Sequence, residues 1–310
     1  MRPIYENTVI HVDVTNACFL SCANCTRAVG HHRKPYFMDL DTVRKGIASL
    51  EGFPGRVGIM GGEPCLHPKF REILALVREM IPDRRRREFW TSGWKWKEYR
   101  EDILATFDQD LITFNSHTQA SGRHHPLLVA IEEMVDDPEL RKILIENCPF
   151  QKRWSAAITT KGAFFCEIAA SQDYLFDGPG GYPIEPGWWN KHPGQFQDQV
   201  ERYCGKCSGA LPMEAYSDNR GGRDGPSIDL VSPKNLERLL AVGSIRAQKG
   251  NVVVRTEKFT KEEIEAHIKT WKPRQFRDFQ ANLPEDYATA GVDPGLERIN
   301  HPPDRVVGAS

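Results

Sequence analysis

The sequence predicts an α/β fold built from parallel strand–helix units. Two observations point to it. In the first half, short β-branched or aromatic runs alternate with longer stretches whose apolar residues recur at helical spacing. Cysteines, glycines and small polar residues then gather just after those runs, at the strand C-termini where such folds carry their chemistry.

Taken in order, residues 8–14 are a β-branched run suited to a buried strand. Asp39 can cap a helix in which Val43, Ile47 and Leu50 share a face. Residues 56–60 read as a second strand, and 67–80 as the clearest helix, with Phe70, Ile73, Leu74, Val77 and Met80 on one stripe. A third strand is predicted over 89–92, a helix over 97–107 and a fourth strand over 111–116. Strands separated by helices of this length pack as parallel units of a barrel or an open sheet. After residue 126 the pattern changes. A helical region leads to Cys148; residues 156–160 and 163–166 read as two short strands around a Lys161-Gly162 turn; 178–187 is a Gly/Pro loop and 196–203 a short helix. Residues 219–226 form a polar, glycine-rich linker, and 261–269 a last helix before a proline-containing tail. No internal repeat is visible.

Forty-one basic and 42 acidic residues nearly cancel, so electrostatics give no reason to expect a nucleic-acid or membrane partner. The Arg84-Arg85-Arg86-Arg87 run reads as a solvated helix end or loop. The apolar stretch near the N-terminus is short and carries His11 and Asp13, which argues against a membrane or secretory segment and for the cytoplasm. Thiols stay reduced there, so eight cysteines point to metal binding or catalysis rather than to disulfides.

Three of them stand in Cys18-Phe19-Leu20-Ser21-Cys22-Ala23-Asn24-Cys25, a C-x3-C-x2-C loop after the first strand. Thiolates are the usual ligands of iron–sulfur clusters, and this spacing lets one loop wrap a cuboidal cluster. Three ligands for four irons leave one iron open to a substrate or cofactor. Zinc is the alternative, with His31 or His32 as a fourth ligand, or else three buried thiols.

The triplet, its place after the first strand, and Gly61-Gly62-Glu63-Pro64 after the second together resemble the radical S-adenosylmethionine (SAM) enzymes. That resemblance implies a partial (β/α) TIM-like barrel over residues 1–145, with the open iron of a 4Fe–4S cluster chelated by the amino and carboxylate groups of SAM. It implies reductive cleavage of SAM to a 5′-deoxyadenosyl radical that takes hydrogen from substrate, and a low-potential electron donor such as flavodoxin or ferredoxin. Gly61, Gly62, Glu63 and Pro64 match the family's segment at the methionine amino group: glycines permit close backbone approach, and a carboxylate can pair with an ammonium. Ser92 and Asn115 are candidates for ribose or methionine contacts. Asn24 stands where many members carry an aromatic residue near the adenine, so the adenine must be held differently here.

Cys148, Cys166, Cys204 and Cys207, with Gly162 in the hairpin turn, resemble the truncated SPASM or twitch domain that holds an auxiliary 4Fe–4S cluster. Three residues separate Gly162 from Cys166 where the usual pattern has four. The resemblance implies a small α+β unit over 146–216; four thiolates equally describe a structural zinc site. Cys65 is a candidate hydrogen donor to a substrate radical, or a small buried hydrophobe. His117, His124, His125, Trp188 and Trp189 are candidates for a pocket wall or for ordinary structure. Residues 217–310 form a C-terminal extension without an assigned role. The short stretch before Cys18 leaves no space for a cobalamin-binding or peptide-recognition domain, which favours a small polar substrate. A sugar, aminocyclitol or nucleoside derivative fits, with oxidation, epimerisation and decarboxylation open. A peptide-modifying maturase and a non-catalytic zinc or iron–sulfur protein are the alternatives.

Overall fold

The computed structural model describes residues 1–114, 124–153, 155–213 and 227–270. Its centre is a six-stranded sheet. Strand β1 (Val9–Thr15) is buried along all seven residues, as a β-branched strand covered on both faces must be. It is followed by α1 (Leu40–Ala48), β2 (Arg56–Gly61), α2 (Phe70–Met80), β3 (Arg87–Thr91), α3 (Trp96–Thr106) and β4 (Ile112–Phe114). These four strands pair in parallel in the order β4-β3-β2-β1, the strand–helix repetition that the sequence predicts. The sequence set the boundaries to within two or three residues. Asp39 caps α1 as expected, its side chain accepting from the Thr42 N–H at 2.8 Å. The apolar stripe of α2 buries Phe70, Ile73, Leu74 and Val77 against the sheet.

The basic run is spent on helix ends. Arg84 donates to the Leu104, Ala105 and Phe107 carbonyls at the end of α3, and Arg87 to the Ile81 and Thr106 carbonyls. Arg85 pairs with Asp108 and Asp110.

Three short helices, α4 (Ile131–Met134), α5 (Pro138–Glu146) and α6 (Pro149–Arg153), lead to the predicted hairpin, β5 (Ser155–Thr159) and β6 (Gly162–Phe164). The hairpin does not stand apart from the preceding units. β5 pairs in parallel with β1, on the side away from β2, and β6 pairs antiparallel with β5. The complete order is therefore β4-β3-β2-β1-β5-β6. The chain reverses its direction of growth between β1 and β5, the place in an open parallel sheet where a crevice forms at the strand C-termini. The loop leaving β1 carries Cys18 to Cys25, whereas Cys166 follows β6, which runs back antiparallel to β5.

Helix α7 (Glu167–Leu175) begins directly after Cys166, where the sequence predicts a strand over 163–166. Its Glu167, Ile168, Ala169, Ala170, Gln172, Asp173 and Leu175 are all buried, so it shows no polar face from which a helical period can be read. Helix α8 (Gln197–Tyr203) delivers Cys204 and Cys207. Beyond residue 226 the chain forms β7 (Asp229–Val231), α9 (Pro233–Ala241), α10 (Ile245–Gln248), β8 (Val252–Val254) and α11 (Lys261–Thr270), with β7 and β8 paired in parallel. The linker expected over 219–226 and the proline-containing tail lie outside the described residues. Among those residues no helix is long and apolar enough to cross a membrane.

Candidate functional site

The ends of β1, β2 and β3 meet at one cavity. Cys18, Cys22 and Cys25 line it together with Gly61, Gly62 and Ser92, so three sequence motifs lying up to 74 positions apart share one space. A register irregularity in the β1–β2 pairing, between Asp13 and Thr15, marks where the chain leaves the sheet for the cysteine loop.

The glycines are required by the protein's own backbone. The Gly62 N–H donates to the Thr15 carbonyl and the Glu63 N–H to the Ala17 carbonyl, both at 2.7 Å. A Cβ on Gly61, whose φ is +156°, would lie 2.0 Å from the Thr15 oxygen; one on Gly62 would lie 2.2 Å from that of Ala17. The β2 turn thus crosses the root of the cysteine loop at a distance only glycine allows. The same close approach keeps the Gly61 and Gly62 backbone at the cavity wall.

Glu63 is committed within the protein as well. Its side chain is fully buried, and both carboxylate oxygens are already engaged. Oε1 accepts from the Thr91 hydroxyl at 2.8 Å and the Cys65 N–H at 3.2 Å; Oε2 accepts from the Ser92 N–H at 2.8 Å and hydroxyl at 2.6 Å. Burial raises its pKa, and these four donors oppose the rise. Glu63 therefore ties β2 to the end of β3. The Gly61-Gly62 backbone is what the segment presents to the cavity. Pro64 opens a short buried turn behind it. Ser92 does line the cavity, with its hydroxyl donated to Glu63. Asn115 and His117 lie outside the described residues.

Cys65 packs in the hydrophobic core, its thiol pKa raised by burial and then by Glu63, and it does not line the cavity. The hydrogen-donor role expected of it is not supported by this placement. Of the expected histidines, His124 reaches the cavity wall, its Nδ1 within 3.0 Å of the Ala23 carbonyl. His125 Nε2 is bonded to the Ser208 carbonyl. His31, offered as a zinc ligand, has both ring nitrogens occupied: Nε2 by Asp229 at 2.6 Å and Nδ1 by the Ser244 hydroxyl at 2.7 Å. His32 Nε2 faces the Arg27 carbonyl. Trp188 and Trp189 donate to the hydroxyl and carbonyl of Ser49, at the C-terminus of α1, and so belong to the packing at the opposite end of the sheet.

A second cavity is lined by all four later cysteines, Cys148, Cys166, Cys204 and Cys207, in an otherwise apolar setting of Phe150, Phe165, Ile168 and Tyr203. Gln172 also lines it, 3% exposed, with its amide set against Cys207, whose thiol pKa this contact lowers.

Burial raises the pKa of Cys18 and Cys22, and neighbouring cysteines raise both further. Burial likewise raises Cys148, Cys166 and Cys204, the last two also through Cys148, and Cys207 is pushed up to about 12. A bound metal cation that displaces their protons favours the ionised form of such thiols. Among the described residues no three Cys, His, Asp or Glu side chains stand close enough to grip a single ion. In a cuboidal cluster each thiolate takes its own iron, whereas zinc holds all its sulfurs about 2.3 Å from one centre.

Sequence reasoning missed the charged network beside the first cavity. Arg27, which lines it, makes two bonds to Asp13, Nε–Oδ2 at 2.9 Å and Nη2–Oδ1 at 3.2 Å, and its Nη2 lies 3.1 Å from Glu167 Oε2. Ser155 donates to the same Glu167 oxygen at 2.6 Å, and His11 Nδ1 lies 3.3 Å from it. Burial alone would raise the Glu167 pKa; Arg27 first, then His11 and Ser155, outweigh it and hold the carboxyl at about 2. Arg27 follows Cys25 by two positions and Glu167 follows Cys166 by one, so this buried pair joins the cysteine loop to the start of α7. The available signal was His11 and Asp13, two polar side chains inside a wholly buried strand.

No protein-family model matches this sequence, and no curated protein does. Among solved structures the chain is similar to the crystal structure of BtrN in complex with AdoMet and 2-DOIA, at 16% identity and a TM-score of 0.43, over 64% of this chain and 87% of that one. It is also similar to selenomethionine BtrN in an open conformation, at 14% identity and a TM-score of 0.40, over 71% of this chain and 94% of that one. Likeness at this level carries no functional conclusion, and the thiols must supply it.

Proposed function

We propose that this protein is a radical SAM enzyme. One observation carries the reading: Cys18, Cys22 and Cys25 line a single cavity with the Gly61-Gly62 backbone, at the C-terminal ends of β1 and β2. Three thiolates satisfy three irons of a 4Fe–4S cluster and leave the fourth for the amino and carboxylate groups of SAM. When bound, the cluster and SAM supply a low-potential electron and a 5′-deoxyadenosyl radical able to take hydrogen from substrate. The chain's own residues have narrower tasks. The cysteine loop holds the metal. The Glu63 clamp and the glycine crossing fix the cavity edge formed by β2 and β3. Thr26, Arg27, Trp90 and His124 line the same space, offering polar and aromatic contacts to a small polar substrate such as a sugar, aminocyclitol or nucleoside derivative.

Cys148, Cys166, Cys204 and Cys207 fit an auxiliary 4Fe–4S cluster. Four thiols share one apolar cavity, and the Gln172 amide donates to the Cys207 sulfur there.

Anaerobic reconstitution with iron and sulfide, followed by reductant and SAM, tests the reading. The expected product is 5′-deoxyadenosine from a brown protein carrying two clusters. A colourless protein that binds zinc and leaves SAM intact overturns it.

A further inference from the structure

The cysteine loop is held from outside by residues more than 200 positions away. Arg246, in α10, places its guanidinium under the loop: Nη2 donates to the Ser21 carbonyl at 2.9 Å and hydroxyl at 2.8 Å, and Nη1 to the Cys22 carbonyl at 3.1 Å. Asp229, in β7, accepts from Arg246 Nη1 at 2.6 Å, from His31 Nε2 at 2.6 Å and from the Asn24 N–H. The Asn24 side chain in turn accepts from the Leu230 N–H at 3.0 Å, with the Asn24 backbone in the left-handed region at φ +52°. Arg246 and Asp229 are nearly completely buried. The guanidinium lies flat on Gly30, where an added Cβ would sit 2.1 Å from Nη2.

The geometry points to a positioning role for Asp229 and Arg246: the segment around β7 and α10 clamps the Cys18–Cys25 loop into the shape that receives the cluster. A buried arginine bonded to loop carbonyls, with its charge answered by an aspartate that also holds the loop's own N–H, fixes both the path and the orientation of the backbone between Cys22 and Cys25. Asn24 belongs to this clamp. Its side chain is committed to β7 and is therefore turned away from the cavity that the three thiols line. The C-terminal segment is thus part of the metal-binding unit rather than an appendage. For the identity of the metal group the inference rests on the proposed radical SAM reading; the clamp itself is a property of the chain without metal.

The test uses the full chain in two states. In the metal-free protein, thiol alkylation is followed cysteine by cysteine for Arg246→Met, Arg246→Lys, Asp229→Asn and Gly30→Ala. Labelling of Cys18, Cys22 and Cys25 should accelerate about tenfold or more in the Met, Asn and Ala variants, because each bond lost to a charged group shifts local opening by that order. Cys148, Cys166, Cys204 and Cys207 should label at the wild-type rate, which serves as the folding control. Arg246→Lys, which keeps the charge but not the fork, should recover only part of the protection. After reconstitution, the same variants should show an altered electron paramagnetic resonance signal from the first cluster and an unchanged one from the second. Equal acceleration at all seven cysteines, or none at the first three, overturns the clamp. Wild-type protein with protected thiols but no cluster at the triplet overturns the radical SAM reading and leaves the clamp standing.

Discussion

Replacing Glu63 by glutamine separates two accounts of this residue. Its carboxylate accepts four bonds, two on each oxygen, and each oxygen takes one backbone N–H and one hydroxyl. In Glu63→Gln one oxygen becomes an NH2 group. The facing hydroxyl, of Thr91 or Ser92, can rotate and accept from it. The facing backbone N–H, of Cys65 or Ser92, cannot turn and is left buried without an acceptor, at about 1–3 kcal/mol. Loss of charge on the remaining acceptor weakens its bonds further, giving about 2–4 kcal/mol in total. Urea unfolding of the metal-free protein under anaerobic conditions measures this directly, as a lower midpoint at constant slope. If the glutamate instead reserved its charge for an ammonium ligand, stability would hold within about 0.5 kcal/mol, as for an ordinary surface change, and only SAM affinity would fall. That result would refute the clamp at β3.

Four further outcomes follow from the site. Gly62→Ala forces a Cβ to 2.2 Å from the Ala17 oxygen, so the root of the cysteine loop must move; iron incorporation at the first site should fall while that at the second persists, measured by iron analysis and Mössbauer spectroscopy. Glu167 is held at about 2 when folded and returns to the ordinary glutamate range when unfolded. Its contribution is thus complete above the unfolded pKa and disappears as pH falls through the folded one, so urea midpoints should drop by about 3 kcal/mol-equivalents between pH 5 and 2 in the parent and by much less in Glu167→Gln. Arg27→Met leaves Asp13 and Glu167 buried without their shared cation and should cost about 3–5 kcal/mol by the same assay. Cys65→Ala should leave 5′-deoxyadenosine formation and iron content unchanged in the reconstituted protein, because that thiol does not face the cavity.

Much of this fold was legible because apolar periodicity survives in the sequence wherever an element has one wet face. The stripe of α2 and the cap of α1 are cases of it, and β1 is legible as an unbroken β-branched run. Helix α7 escaped for the opposite reason. With Glu167, Gln172 and Asp173 buried beside its apolar residues, polarity along the chain does not report which face meets water. The three-residue strands β7 and β8 are too short for alternation to show. For the site, residue type and spacing singled out both cysteine sets, each of which lines one cavity. They do not reveal the partners that Glu63 and the two glycines take at the ends of other strands: Thr91, Ser92, Thr15 and Ala17. Asp229 and Arg246 could not be found from spacing at all, since they act on Ser21, Cys22 and Asn24 across most of the chain.

The most direct measurement is made on the triple variant Cys18→Ala, Cys22→Ala, Cys25→Ala, reconstituted beside the parent. The account predicts loss of one cluster's four irons, retention of the other cluster, and no 5′-deoxyadenosine on reduction with SAM. Undiminished 5′-deoxyadenosine, at unchanged iron content, would contradict it.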